Sequence, residues 1–233
     1  MIIQPEISTC SIVLVGQFNP AIFHPAWLKA RDIEPEYSQV DNNSNFSFLN
    51  KVAQFTIDTR RYVIQENRFQ IETTTAPWVM ILDLTAKIFN EHLVHTPINQ
   101  LGINRTVHFK LPNYQLLNRL GRELAPIEPW DDFGKEMETE DISLTGGLRS
   151  LTMQKKSKIS EKYWETNVKI EPSKILQSKT GIYMEVNSHH PLGKLPDGHG
   201  SEQVMARLLN CFEESVKEAD MIIEGIMKKG ISQ

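Results

Sequence analysis

The sequence predicts an α+β protein in which an antiparallel sheet is covered by helices. Three observations support this class: alternating strands recur along the 233 residues, helical periods interrupt them, and a long amphipathic helix follows the last strand. From residue 201 to about 228, apolar residues recur at steps of three and four and share one stripe. They are Val204, Leu208, Phe212, Val216, Ala219, Ile223 and Ile226. Such a helix is about 40 Å long and covers a whole sheet face.

The first part of the chain predicts strands before and after a short helix. Residues 7–18 contain a near-continuous apolar run, which indicates a central strand covered on both faces. Pro25 is placed to begin a short helix, and residues 42–45 are a polar loop. The alternating segments that follow predict three strands, with Glu66 and Asn67 as a hairpin turn. These segments are 52–59, 62–65 and 68–73.

The remaining elements follow from period and capping signals. Residues 77–92 switch to a helical period, and residues 98–111 return to a strand in which Gly102 predicts a bend or bulge. Asn113 is a good N-cap for a helix that ends before Pro126. Three more strands precede the long helix, with lysines capping their first hairpin. The predicted later segments are a loop at 125–141, strands at 148–154, 163–170 and 181–188, and a loop at 189–200.

We predict a single α+β domain over residues 1–233, with a long C-terminal helix packed on the sheet. An alternative divides the chain into two structurally similar halves, 1–111 and 112–233, since strands are followed by a long helix in each. The main alternative architecture is a helix-grip-like fold, in which a curved sheet wraps the final helix and leaves a cavity.

Composition narrows the class of protein. The net charge is -4, which gives no overall attraction to nucleic acid or acidic membranes. No apolar run approaches about 20 residues, so no membrane span is expected, and the first residues do not have the pattern of a secretory signal. Cys10 and Cys211 are two separate thiols in the prediction, which suits a reducing cytoplasm.

Four short blocks resemble an uncharacterised, sporadically distributed family of bacterial proteins. The blocks are residues 14–27, 96–105, 169–173 and 186–190. The resemblance carries no catalytic residues that could be transferred to this chain. Because patchily distributed families often travel with mobile elements or phage-defence loci, it implies an accessory role in such a system.

Motifs typical of catalysis or of cofactor binding are absent from the sequence. The chain contains neither a nucleophile elbow nor a phosphate-binding glycine loop. His189, His190 and His199 share a predicted loop with Asp197, yet their spacing matches no zinc signature. The sequence therefore predicts no catalytic residue, no cofactor and no metal, and the chain is more consistent with a non-enzymatic protein than with an enzyme.

Basic residues fall in two places beside aromatic residues on predicted strands. Arg60, Arg61 and Arg68 form one group, and Lys155 and Lys156 form the other. Cations beside aromatics can hold phosphates and stack bases. The favoured interpretation is a solvated sheet surface, and nucleic-acid contact is the alternative.

Two functional hypotheses remain. The first is a protein-binding or assembly subunit, with homodimerisation as its simplest form, because an open sheet leaves edges that must be covered. Tyr163 and Trp164 are the predicted aromatic anchor of its interface. The second is an enzyme or small-ligand binder with a cavity between the sheet and the final helix. The polar residues predicted to line that cavity are Asn104, Arg105, Asn187 and His189.

Overall fold

A computed structural model describes residues 3–34, 46–47, 51–141, 145–159, 162–192 and 198–231. The predicted loop at 42–45 lies outside these residues. The helices are α1 (Pro25–Ala30), α2 (Val79–Lys87), α3 (Tyr114–Leu124), α4 (Asp131–Glu136) and α5 (Glu202–Ile231). The strands are β1 (Ile7–Gly16), β2 (Phe46–Ser47), β3 (Val52–Ile57), β4 (Arg60–Gln65), β5 (Arg68–Thr73), β6 (Ile98–Lys110), β7 (Leu151–Ile159), β8 (Lys162–Pro172) and β9 (Gly181–Pro191).

The nine described strands form one sheet in the order β2-β3-β4-β5-β1-β6-β9-β8-β7. Every neighbouring pair is antiparallel. The predicted class, an α+β fold with a long C-terminal helix packed on an antiparallel sheet, is confirmed. The strand pairing runs through Gly102 without interruption, and the register shift falls at Val15 and Gly16 instead. A Cβ on Gly16 would lie 2.2 Å from the carbonyl oxygen of Pro97, so only glycine fits there.

The helices pack on one face of the sheet, which we call the inner face. One hydrophobic core lies under α2 and the first half of α5, and includes Ile12, Phe69 and Phe212. A second core lies under α3 and the second half of α5, and includes Val186 and Ile223. The predicted stripe of α5 therefore supplies both cores. None of the described helices combines the length and the apolar character needed to cross a bilayer.

Three predicted boundaries are wrong. β7 continues to Ile159, so Lys155 and Lys156 lie inside a strand and do not cap the hairpin. β9 continues to Pro191, so His189 and His190 belong to a strand and not to the predicted loop. The predicted loop at 125–141 contains α4, which a 3-10 turn at Glu128–Trp130 precedes.

The order of elements repeats along the chain. β1, α1, the strands β2 to β5, and α2 are followed by β6, α3, α4, the strands β7 to β9, and α5, so the second group repeats the order of the first apart from α4. β1 and β6 pair with each other at the middle of the sheet. The repeat appears when the chain is divided between α2 and β6, whereas the sequence placed the division at residue 111.

Candidate binding surface on the open face of the sheet

The face opposite the helices carries a row of polar side chains that crosses six strands. Because side chains alternate along a strand, residues paired in register share a face. The pairing from β5 to β7 aligns one polar residue per strand on this open face. We call these residues the polar row: Glu72, Ser11, Asn104, Asn187, Asn167 and Gln154.

Hydrogen bonds satisfy the two ends of the polar row but not its middle. Asn104 donates its Nδ2 hydrogen to Ser11 Oγ at 3.2 Å. At the other end, Gln154 donates its Nε2 hydrogen to Asn167 Oδ1 at 3.0 Å. Between them, the Oδ1 atoms of Asn104 and Asn187 are shielded and have no hydrogen-bond partner among the described residues. Buried carbonyl oxygens of this kind cost stability unless a donor reaches them.

A shallow depression lies beside these two amides. Gly102 lies two residues before Asn104 on the same face of β6, and it pairs with Val13 on one side and His189 on the other. A Cβ at Gly102 would lie 3.6 Å from Asn187 Oδ1, within ordinary contact. The glycine therefore leaves room next to the amide oxygen, and Val13 gives this room an apolar side.

Charged residues flank the polar row in oppositely charged pairs. On the open face, Arg61 contacts Glu72 at 3.0 Å, and Lys169 contacts Glu171 at 2.9 Å. The hydrogen bond from Lys169 is the main reason why the pKa of Glu171 lies below its usual value. Because both signs alternate across the face, it does not select a partner of one charge.

Arg105 lies on the inner face, away from the other predicted ligand-binding residues. Its side chain is 5% exposed and contacts Asp220 of α5 at 2.9 Å. It also donates to the carbonyl oxygen of Thr9 at 2.5 Å and lies 4.4 Å from the ring centre of Trp78. These contacts tie β1, β6 and α5 together, so Arg105 supports the fold. Asn104, Asn187 and His189 are brought together on the open face, on the side of the sheet away from α5.

The five predicted nucleic-acid contacts do not form one patch. Arg60 is buried on the inner face, where Glu34 accepts two hydrogen bonds from its guanidinium, at 2.7 and 2.9 Å. Lys155 also points to the inner face and pairs with Glu218 of α5. Arg61 and Arg68 lie on β4 and β5, and Lys156 lies on β7 near the far edge of the sheet. Four of the five cations are within 4 Å of carboxylates, which weakens their attraction for phosphate.

Tyr163 and Trp164 point to opposite faces of β8. The Tyr163 hydroxyl donates to Glu165 on the open face. Trp164 is half-buried on the inner side and stacks on His190, with ring centres 6.3 Å apart. The two rings therefore do not form one anchor.

His190 and Ser215 form the contact that most resembles a catalytic pair, but the hydrogen bond between them runs in the wrong direction for catalysis. Arg207 approaches His190 Nδ1 at 3.2 Å, and because a guanidinium only donates, Nδ1 accepts. The remaining ring hydrogen is then on Nε2, 3.4 Å from Ser215 Oγ. The imidazole donates to the serine and cannot remove its proton.

Two other reactive groups are also held in inert settings. Burial raises the pKa of the Cys10 thiol to about 12, so it is not a thiolate at neutral pH. His189 and His190 point to opposite faces of β9, so the two rings cannot share a metal ion. Within the described ranges, no group of three metal-ligating side chains is found; Asp197 lies outside them.

Searches for related proteins found no matching protein-family model and no matching characterised protein. The resemblance of the four short blocks therefore stays a prediction.

Four members of the polar row were not predicted from the sequence: Glu72, Ser11, Asn167 and Gln154. Each is a polar residue at an alternate position of a strand, and this alternation is visible in the sequence. They are aligned by the pairing of strands that lie up to 93 positions apart in the chain (Ser11↔Asn104, Asn104↔Asn187, Asn187↔Asn167), and one sequence does not contain that pairing.

Proposed function

We propose that this chain is a cytoplasmic, non-enzymatic assembly subunit that pairs with a second copy of itself through the open face. The observation that carries the proposal is the pair of amide oxygens of Asn104 and Asn187, which have no hydrogen-bond partner among the described residues and lie at the middle of the sheet face opposite the described helices. From the resemblance of its short blocks, we place this subunit in a bacterial accessory system.

The chemistry of the polar row favours a second copy over other occupants. A carboxamide both donates and accepts, so two copies of the same amide pair can satisfy each other across a two-fold axis. The flanking ion pairs carry both signs, as a self-complementary surface requires. A nucleic acid would need a face dominated by cations instead.

The open face is also large enough to form a dimer interface. The eight strands from β3 to β7 in the sheet order span about 34 Å at about 4.8 Å per spacing. Neighbouring strands pair over six to eleven residues, about 20 to 36 Å along the strands. The resulting area of roughly 900 Å² matches the roughly 800 Å² per partner of a standard interface.

Light scattering of the whole protein tests the proposal. We expect a dimer at about 100 µM and dissociation on dilution. Asn187→Asp replaces a donor and acceptor by a charged acceptor and should weaken the dimer at least about tenfold, because like charges then meet across the axis. Asn210→Asp, on the exposed side of α5, makes the same chemical change outside the interface and should leave the dimer intact.

Two results would overturn the proposal. A wild-type protein that remains monomeric at about 100 µM has no self-association of the expected strength. A dimer that both aspartate variants weaken equally responds to net charge and not to the polar row. Far-UV circular dichroism of each variant verifies that the fold is kept.

A further inference from the structure

A pocket of about 520 Å³ lies next to α3 on the inner side of the sheet, and no residue of the polar row lines it. We call it the α3 pocket. Its walls are α3, residues 145–149, the end of β8 and the start of β9. Its volume falls within the range of about 300 to 1,000 Å³ that small-molecule sites occupy.

One side of the α3 pocket is apolar. α3 presents leucines toward it, and the facing strand ends add isoleucines from the second hydrophobic core. These residues are Leu117, Leu120, Leu124, Ile170 and Ile182. A hydrocarbon chain or an aromatic ring in this position would lose its contact with water, which favours binding by about 25 cal/mol per Å² of apolar area.

The charged residues of the lining are mostly cationic. Arg122, Arg149 and Lys179 line the α3 pocket, against one carboxylate, Glu171. Arg122 pairs with Glu138 at 2.8 Å, and Glu171 is held by Lys169 at 2.9 Å. Among the residues that the structure describes, no carboxylate lies within ion-pair distance of Arg149 or Lys179. Two exposed cations thus face the same cavity in a chain whose net charge is -4.

We propose that the α3 pocket binds an amphipathic anion, a carboxylate or a phosphate monoester that carries a small apolar body. The anionic group lies between Arg149 and Lys179, and the apolar body lies against the leucines of α3. A guanidinium binds either anion through two parallel hydrogen bonds, which suits both head groups. This site is independent of self-association through the open face.

Calorimetric titration of the whole protein with four simple probes tests the inference. Octanoate and phenyl phosphate carry the two head groups on apolar bodies, octylamine reverses the charge, and inorganic phosphate lacks the apolar body. We expect octanoate or phenyl phosphate to bind in one saturable step, and whichever binds tighter identifies the head group. Octylamine and inorganic phosphate should bind at least about tenfold more weakly than that probe.

Charge-reversal variants locate the site. Arg149→Glu and Lys179→Glu should each weaken the tighter probe about tenfold or more. Lys174→Glu makes the same charge change on an exposed neighbouring residue that does not line the α3 pocket, and should change the affinity less than about twofold. The inference is overturned if neither anionic probe binds, if octylamine or inorganic phosphate binds equally well, or if Lys174→Glu weakens binding as much as the other two.

Discussion

His190 is an ionisable side chain enclosed between the sheet and α5, with 2% of its surface exposed. Burial lowers its pKa to about 4, and the charges of Arg207 and His189 act in the same direction. Unfolded, the imidazole takes up a proton near pH 6.5. Below that pH the unfolded state binds more protons, so the free energy of unfolding falls as the pH falls toward 4.

The first prediction concerns this linkage. Between pH 7 and pH 5, the wild-type protein should lose about 2 kcal/mol of unfolding free energy through His190. His190→Gln removes the titrating group, so the loss of unfolding free energy between the two pH values should be smaller in the variant by that amount. Urea denaturation at the two pH values measures the difference. Equal losses in both proteins would mean that His190 titrates alike in the folded and unfolded states.

Asn104 and Arg105 show how much of the candidate site can be predicted from the sequence. Alternation along β6 predicts that the two side chains point to opposite faces, and they do. It does not say which face the helices cover, because that depends on distant elements such as α5. The sequence therefore grouped both residues in one cavity, whereas Arg105 ion-pairs with Asp220 on the inner face and only Asn104 lies on the open face with Asn187.

The helix α5 supports the second prediction. Phe212 is 2% exposed in the first hydrophobic core, while Leu209, three residues earlier, is 51% exposed. Phe212→Ala should cost about 3 to 5 kcal/mol of unfolding free energy, as large core aromatics do. Leu209→Ala is the matched control at an exposed position of the same helix and should cost less than about 0.5 kcal/mol. Thermal and urea denaturation measure both; similar losses would show that the stripe is not buried.

Elements with a strong period were predictable, and the weakly patterned ones were not. The stripe of α5 follows directly from its spacing. In β7, residues from Thr152 to Lys156 are exposed on both faces of an edge strand, so no alternation marks the strand and its lysines resembled a turn. Lysines on an edge strand discourage pairing with another sheet. The six residues of α4 are too few for a helical period to appear.

The whole sheet supports the third prediction, which is a single cooperative unfolding transition. β1 and β6 join the two repeated groups of elements through ten paired residues. The first hydrophobic core also contains Val204 and Leu208 of α5, which belong to the second group. The first group therefore has no complete core without α5.

Near-UV circular dichroism and far-UV circular dichroism should give the same midpoint and steepness in urea. The tryptophans report on both groups of elements, since Trp27 lies in the first and Trp164 in the second. Two separate midpoints would instead indicate that the groups fold independently.

The position of α5 after all nine strands also matters for synthesis. The ribosome makes every strand before it makes the helix that completes both cores. At about 5 to 20 residues per second, the 30 residues of α5 take about 2 to 6 s to translate. During those seconds the apolar inner face is already synthesised but still lacks α5, so we expect the nascent chain to bind chaperones that hold exposed hydrophobic surface.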